Sequence, residues 1–415
     1  MRPALVASGG VLTACVLAWA LRGDQTAAIP AHLVLWGLAF SAYLVALRAS
    51  RGLSRRGLTA ALGVALLWRA ALVATSPLLS DDVNRYAWEG RIQLHGGNPY
   101  AWRDRPESER WVWLRDAVWQ GVNHKDYTAV YPPLWQMAAR AVVFVHDGVT
   151  AMKVFVVACE LAATLVLARL LLRRGLPRER LLILAWSPLA LVEIAGSGHN
   201  EPFGIVLLAL ALLALEAGRP LLSALAGALA FQAKLVPALL MAAWVRRYRL
   251  SHLLAAGLLA ALLVLPYASA GPGLSRSLWS YGQYWRFNET LFVPLEWLAG
   301  SLLAPRLAAF MVLALALGLA VARVEPVAAG LATTVGLLLL SPSVLPWYAL
   351  WLLPWLVLRD APGALLFTGT VGLAYLVYPG WRAGGPWQVS APLRVLEYGP
   401  CLALAAVSFL RRRAA

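Results

Sequence analysis

Two adjacent carboxylates, Asp81 and Asp82, open a polar and aromatic run that continues through Arg85, Tyr86, Glu89 and Arg91 to Asn98-Pro99-Tyr100. In a helix, Asp82, Arg85, Tyr86 and Glu89 fall at i, i+3, i+4 and i+7 and share one face. A carboxylate in such a setting can take a proton from a hydroxyl, or it can ligate a divalent cation such as Mg or Mn. The plainer role for Ser80 or Asp81 is to cap a helix N-terminus, where acids are favoured. Capping needs one such residue and here a whole constellation follows, so chemistry is the expectation. Asp82 is the favoured base, because it shares the helical face, and Asp81 is its alternate. Arg85 and Arg91 suit bidentate recognition of a phosphate, although Arg85 is equally spaced to pair with Asp82 or Glu89.

Three other places put polar groups where the chain is otherwise apolar. His199-Asn200-Glu201 follows Gly198 between two apolar runs, and polar groups at membrane depth tend to be functional. No second histidine stands four residues away, so zinc is not expected. Lys234 is a lone ammonium within residues 221–245; it needs an anionic partner there, such as a lipid-linked phosphate, unless it snorkels to the interface. Ser341-Pro342-Ser343 to Trp347-Tyr348 is a proline-interrupted turn with aromatics that can shape a pocket.

The elements that must position these residues are membrane helices. The 415 residues are 60% hydrophobic and 13% charged, far from soluble composition, and apolar runs recur from end to end, which makes this an all-α polytopic membrane protein. The net charge of +16 would suggest nucleic acid in a soluble chain. Here the arginines cluster between apolar runs, at 48–56, 173–180, 246–249 and 411–413, as the positive-inside rule requires, and no aromatic-interleaved basic groove accompanies them. Cys15, Cys159 and Cys401 all sit inside apolar runs and are read as small hydrophobes, not as a disulfide or metal framework.

With the 48–56 arginines cytoplasmic, the spacing predicts spans at 4–21 (a retained helix, not a signal peptide), 29–47 and 58–74. The aspartates then open a large extracytoplasmic loop over residues 76–130, which holds eight of the twenty acidic residues. The amphipathic piece from Tyr131 to His146 is laid along the outer interface. Spans 151–172, 181–195 and 203–215 follow. Residues 221–245 lie between Arg219 and Arg246, so two short helices forming a hairpin with Lys234 near its tip are expected. Residues 253–265 go outward, 292–303 form another interfacial helix, and spans 307–321, 327–340, 347–358, 363–378 and 393–410 complete a single domain over 1–415. Both termini are placed in the cytoplasm of a multi-pass plasma or inner membrane protein.

In this order, Ser80-Asp81-Asp82-Val83-Asn84-Arg85-Tyr86 with Asn98-Pro99-Tyr100, Tyr131-Pro132-Pro133-Leu134, Gly198-His199-Asn200-Glu201, Lys234-Leu235-Val236-Pro237 and Ser341-Pro342 to Trp347-Tyr348 resemble the GT-C superfamily of integral-membrane glycosyltransferases. The likeness is to its polyprenyl-phosphate-mannose-dependent mannosyltransferase-like branch, and it spans roughly residues 80–351. Asn84 and Glu201 depart from it, standing where a tyrosine and an aspartate are expected.

The resemblance implies a GT-C-like bundle of about 12–14 transmembrane helices with extracytoplasmic interfacial helices. It implies inverting transfer of a hexose, mannose first, from a polyprenyl-phosphate-sugar donor to a glycan or glycolipid acceptor, with Asp82 or Asp81 as base. Lys234, Arg85, Arg91, His199 and Asn200 would hold the donor phosphate and lipid. Tyr86, Glu89, Tyr131, Glu201, Trp347 and Tyr348 would form the pocket and meet the acceptor. No cofactor is required by this scheme, and a divalent cation on Asp81 and Asp82 is its one open addition. Partners are the donor, the acceptor and the bilayer, with no nucleic acid. A lipid-linked oligosaccharide flippase or other transporter is the alternative; it predicts essential charges along the bundle instead of at one face. A non-catalytic assembly partner of a transferase is the third reading.

Overall fold

Backbone polar groups in hydrocarbon must be satisfied within the chain, and helices do this locally. The computed structural model describes residues 2–414, and its regular structure is helical; Phe287 and Ser343 make an isolated parallel bridge. Among the described residues, eight helices are long and apolar enough to cross a membrane: Pro3–Arg22, Ile29–Ala49, Arg55–Val73, Val149–Arg173, Leu250–Ala270, Phe292–Val321, Pro362–Arg382 and Ala391–Arg411. Pro188–Gly196 and Glu201–Glu216, bent by 118°, make a ninth if taken as one broken span. The spans expected at 327–340 and 347–358 correspond to the shorter apolar pieces Pro326–Leu340 and Pro346–Leu358, and the first arm of the expected hairpin to Pro220–Ala233. Each of these begins on a proline, whose missing N–H is harmless in the first turn but stops a helix arriving from upstream.

Cross-chain contacts sort the loops into two ends. At the arginine-rich end, Arg174 reaches both Glu216 and Glu325, and Arg180 pairs with Asp360 at 2.7 Å. Glu179 there accepts the Gly52 amide at 2.6 Å. At the aspartate end, the Tyr378 hydroxyl donates to the Leu79 carbonyl, Asn98 donates to Tyr267 O at 3.1 Å and Ser269 Oγ at 3.0 Å, and Thr128 meets Ser277 at 2.7 Å. The helix expected at 292–303 and the span after it form one run, Phe292–Val321, broken by non-helical Gly300.

The hairpin around Lys234 is present. Pro220–Ala233 runs toward the aspartate end, Lys234 follows as its last cap, and Val236–Ala242 turns back. By Tyr248 the chain has returned to the start of the first arm, where its hydroxyl meets Ser223 Oγ at 2.8 Å. Residues 76–130 are not an open loop. They contain the helix Asp82–Leu94, the 3-10 turns Trp102–Asp104 and Glu109–Leu114, and the short helix Ala117–Gln120. Pro133–Val145 packs across Asp82–Leu94, and Gly90 makes that approach possible: a Cβ there would lie 2.7 Å from the Ala139 carbonyl.

Two buried cations lock the frame beneath. Arg69 makes a bidentate pair with Glu160 (2.7 and 2.5 Å) and also donates to the Ala65 and Ala185 carbonyls, at 3.0 and 2.8 Å. This ties Arg55–Val73, Val149–Arg173 and the segment after Leu182 together. Lys153 is buried with its ammonium on Leu72 O (2.7 Å) and Thr75 O (2.8 Å), at the C-terminal end of Arg55–Val73, where a cation is favoured. Glu160→Ala strands the Arg69 guanidinium and should destabilise the protein by about 3–5 kcal/mol, whereas replacing both residues by Met should recover most of that loss. Thermal unfolding of the two variants in detergent measures the difference.

Candidate active site

The first turn of Asp82–Leu94 presents the carboxylates. The backbone N–H of Asp82 donates to Ser80 Oγ at 3.3 Å, and the Asp81 side chain makes no capping bond although it occupies the N-cap position. Both carboxylates turn instead to Asn123, whose Nδ2 donates to Asp81 Oδ1 at 2.7 Å and to Asp82 Oδ1 at 2.9 Å. The other oxygen of Asp82, Oδ2, faces inward, 3.4 Å from the Tyr131 hydroxyl and 3.8 Å from His199 Nδ1.

His199 reaches this position because the helix beneath it breaks. Residues Leu191–Gly196 form a π-helical turn, a rare element often found at functional sites. Gly198 follows with φ +83°, and a Cβ there would meet Val83 Cγ2 at 2.9 Å and Lys153 Cγ at 3.0 Å. A side chain at 198 would therefore push the loop off the helix that carries Asp82. The imidazole stacks on Trp347 (centroids 3.9 Å apart, planes at 20°), and its Nε2 lies 3.4 Å from Glu193 Oε2. Glu193 Oε1 in turn accepts the Tyr375 hydroxyl at 2.5 Å.

Lys234 stands beyond Tyr131. Its ammonium pairs with Glu201 Oε1 at 2.7 Å, donates to Asn200 Oδ1 at 2.8 Å and lies 4.9 Å from the centre of the Tyr131 ring. The Tyr86 hydroxyl donates to that of Tyr131 at 3.2 Å. Tyr348 meets Tyr281, hydroxyl to hydroxyl, at 2.5 Å. Glu193 Oε2, Ser197 Oγ, both His199 nitrogens and Asn200 Nδ2 are buried without a hydrogen-bond partner. Buried polar groups are normally satisfied, so their concentration beside Asp82 marks a place built to receive polar groups from outside the chain.

Of the residues singled out in the sequence, Asp82, Tyr86, Tyr131, His199, Asn200, Glu201, Lys234 and Trp347 gather here, with Asp81 at the rim. The two arginines do not. Arg85 is buried and spends its guanidinium on Glu89 (3.4 Å), Asn123 O (2.5 Å) and His124 O (2.8 Å). Arg91 is held between Asp116 at 2.8 Å and Asp147 at 2.7 Å. Nearer carboxylates and carbonyls hold both guanidinium groups. Glu89 is likewise a support, accepting Gln136 Nε2 at 2.6 Å, and burial pushes its carboxyl up against the opposing pull of Arg85 and Gln136. Asn123, Glu193 and Tyr375 are new. Glu193 carried a sequence signal, a lone acid in the apolar run 181–195; Asn123 and Tyr375 carried none.

Asp81 is exposed at the rim of the site, yet the chain around it partly desolvates the carboxyl, and the Asp82 charge adds repulsion. Together they push it up to about 6 from an ordinary 3.8, against the Asn123 hydrogen bond. An acid raised in the folded state favours folding most below its unfolded value and loses that contribution as pH rises toward 6. Asp81→Asn mimics the protonated form, so its melting temperature should exceed that of the wild type at pH 7.5. The gap should close below pH 4 in a pH series of thermal melts.

A family model described as the N-terminal domain of alpha-(1->6)-mannopyranosyltransferases matches residues 3–246, more than half of the chain. The match takes in Asp81, Asp82, His199 and Lys234 and ends before Trp347. No curated protein and no solved structure matches. With this match over residues 3–246 and, among the described residues, eight helices of membrane-spanning length, the chain belongs to the alpha-(1->6)-mannopyranosyltransferase family and is a membrane glycosyltransferase.

Proposed function

We propose that the chain moves a mannosyl group from a polyprenyl-phosphate donor to a hydroxyl of a glycan or glycolipid acceptor, with inversion, at the extracytoplasmic face. The observation that supports this reading is the placement of Asp82 Oδ2: while Oδ1 is tied to Asn123, Oδ2 turns inward to the Tyr131 hydroxyl at 3.4 Å and His199 Nδ1 at 3.8 Å, beside buried polar atoms without partners. Oδ2 takes the proton of the acceptor hydroxyl as the acceptor oxygen bonds to the anomeric carbon. The bond from that carbon to the donor phosphate breaks on the opposite side, and the phosphate leaves with the electron pair.

A two-step route with retention needs a second free carboxylate as nucleophile. Glu201 is paired with Lys234 and Glu193 lies behind the His199 ring, which supports direct displacement as the reading. In this reading Lys234 supports charge on the departing phosphate, because it stands with Glu201 and Asn200 against the Tyr131 ring, whose hydroxyl meets Asp82 Oδ2. Trp347, stacked on His199, and the Tyr86–Tyr131 pair supply the aromatic walls. The arginine-rich end of the bundle is the cytoplasmic one by the positive-inside rule, which puts the aspartates outside and both termini inside.

Transfer from radiolabelled polyprenyl-phosphate mannose into membrane acceptor lipids tests the reading. Asp82→Asn should lower the rate by about 10²–10⁴-fold with donor binding kept, whereas Asp81→Asn should stay within about tenfold of the wild type. Equal loss in both variants, or none in either, would remove Asp82 from its role. Lys234→Met should raise the donor KM and Lys234→Arg should restore it; an unchanged donor KM in the Met variant would place the phosphate elsewhere.

A further inference from the structure

Adjacent aspartates at a transferase site raise the question of a divalent cation, and the side chains here do not fit one. Among the described residues no three His, Cys, Asp or Glu side chains converge as a metal set. The gap between Asp81 Oδ1 and Asp82 Oδ1, where a bridging ion would sit, is spanned by the Asn123 amide nitrogen at 2.7 and 2.9 Å. An amide turned the other way would offer an oxygen, and three oxygens could hold Mg or Mn. Arg85 decides between the two orientations. Its Nε points at Asn123 Oδ1 from 3.4 Å and its Nη2 holds the Asn123 carbonyl at 2.5 Å. Turned around, the amide would set N–H against N–H at the guanidinium and oxygen against both carboxylates.

The rest of the surroundings enforce this choice. Arg85 is fixed by Glu89 at 3.4 Å and by the Tyr127 carbonyl at 3.3 Å, and Glu89 is fixed by Gln136 at 2.6 Å. A line of charge-assisted bonds thus runs from Pro133–Val145 through Asp82–Leu94 to the loop bearing Asn123. That loop can approach because residue 121 is glycine: a Cβ there would lie 2.7 Å from the Asn84 amide.

We propose that Asn123 is a positioning residue that does with two N–H groups what a bridging divalent cation would do: it spans Asp81 and Asp82, offsets their repulsion and aims Asp82 Oδ2 at the pocket, so that transfer needs no divalent ion. This rests on the mannosyl-transfer reading with Asp82 as base. It adds that the site is organised by an amide.

The test uses the full-length protein in nanodiscs, with transfer measured after EDTA dialysis and after adding Mg²⁺ or Mn²⁺. Bound Mn²⁺ is followed separately by electron paramagnetic resonance. The wild type should keep its rate within about twofold in EDTA and bind no Mn²⁺ at the site. Asn123→Asp places a third carboxylate against the pair. It should lose about a hundredfold in kcat in EDTA, show a bound Mn²⁺ signal, and regain transfer with Mn²⁺ while Asn123→Ala does not. Loss of wild-type transfer in EDTA with recovery by a divalent ion would overturn the proposal without needing any variant to fold. So would an Asn123→Asp protein that works normally in EDTA. A wild type that transfers no mannose before chelation would instead refute the underlying reading.

Discussion

One buried guanidinium holds the aspartate end together. Arg85 sends its N–H groups to Asn123 Oδ1, Glu89 Oε1 and the carbonyls of Asn123, His124 and Tyr127. The backbone it captures is strained, since His124 is a non-glycine residue at φ +42°, a conformation that persists only where the surroundings over-determine it. Burying a guanidinium is costly unless its donors are met. Here they are met by one helical carboxylate one turn away and by the side chain and carbonyls of the loop that carries Asn123. The consequence reaches the chemistry, because the loop so captured carries the amide that holds both aspartates.

A second constraint comes from the membrane itself. Backbone that leaves helical geometry within an apolar bundle must have its polar groups satisfied by protein or must line a cavity. The break between Pro188–Gly196 and Glu201–Glu216 obeys this in both ways. The π-helical turn keeps the backbone bonded, with Ser197 N on Val192 O at 2.8 Å and His199 N on Glu193 O at 3.0 Å. Ser197 Oγ, both His199 ring nitrogens and Asn200 Nδ2 are left buried without hydrogen-bond partners, while Asn200 Oδ1 accepts from Lys234. Lys234 arrives at the same level because the hairpin turns there, and its pairing with Glu201 joins two elements that each stop short of a full span.

Identical carboxylates can be given different roles by their surroundings alone. Asp81 and Asp82 each give one oxygen to Asn123, but Asp81 lies exposed at the rim beside its neighbour's charge, while Asp82 turns its other oxygen inward toward Tyr131 and His199. In the proposed transfer that asymmetry selects the base, and the aromatic walls with Lys234 across the pocket define where donor and acceptor meet. The charges buried deeper, Arg69 with Glu160 and Lys153 on helix-end carbonyls, are closed on themselves and serve the frame.

Much of this was legible in the chain because it depends on local order. Apolar runs and the arginines between them specify a polytopic bundle and its two ends, since spanning length and flanking charge are properties of contiguous sequence. The shared face of Asp82, Tyr86 and Glu89 and the hairpin at Lys234 follow from helical period and proline placement. What the sequence could not show is which distant groups meet. Asn123 lies some forty residues from the aspartates, and Tyr375 lies 182 from Glu193. Nothing in the spacing of Arg85 and Arg91 announces Asn123, Asp116 and Asp147, which the fold brings to them. Partner choice is decided by which helices pack side by side, and in a bundle whose lipid-facing and core-facing surfaces are alike in apolarity, residue spacing carries no record of it.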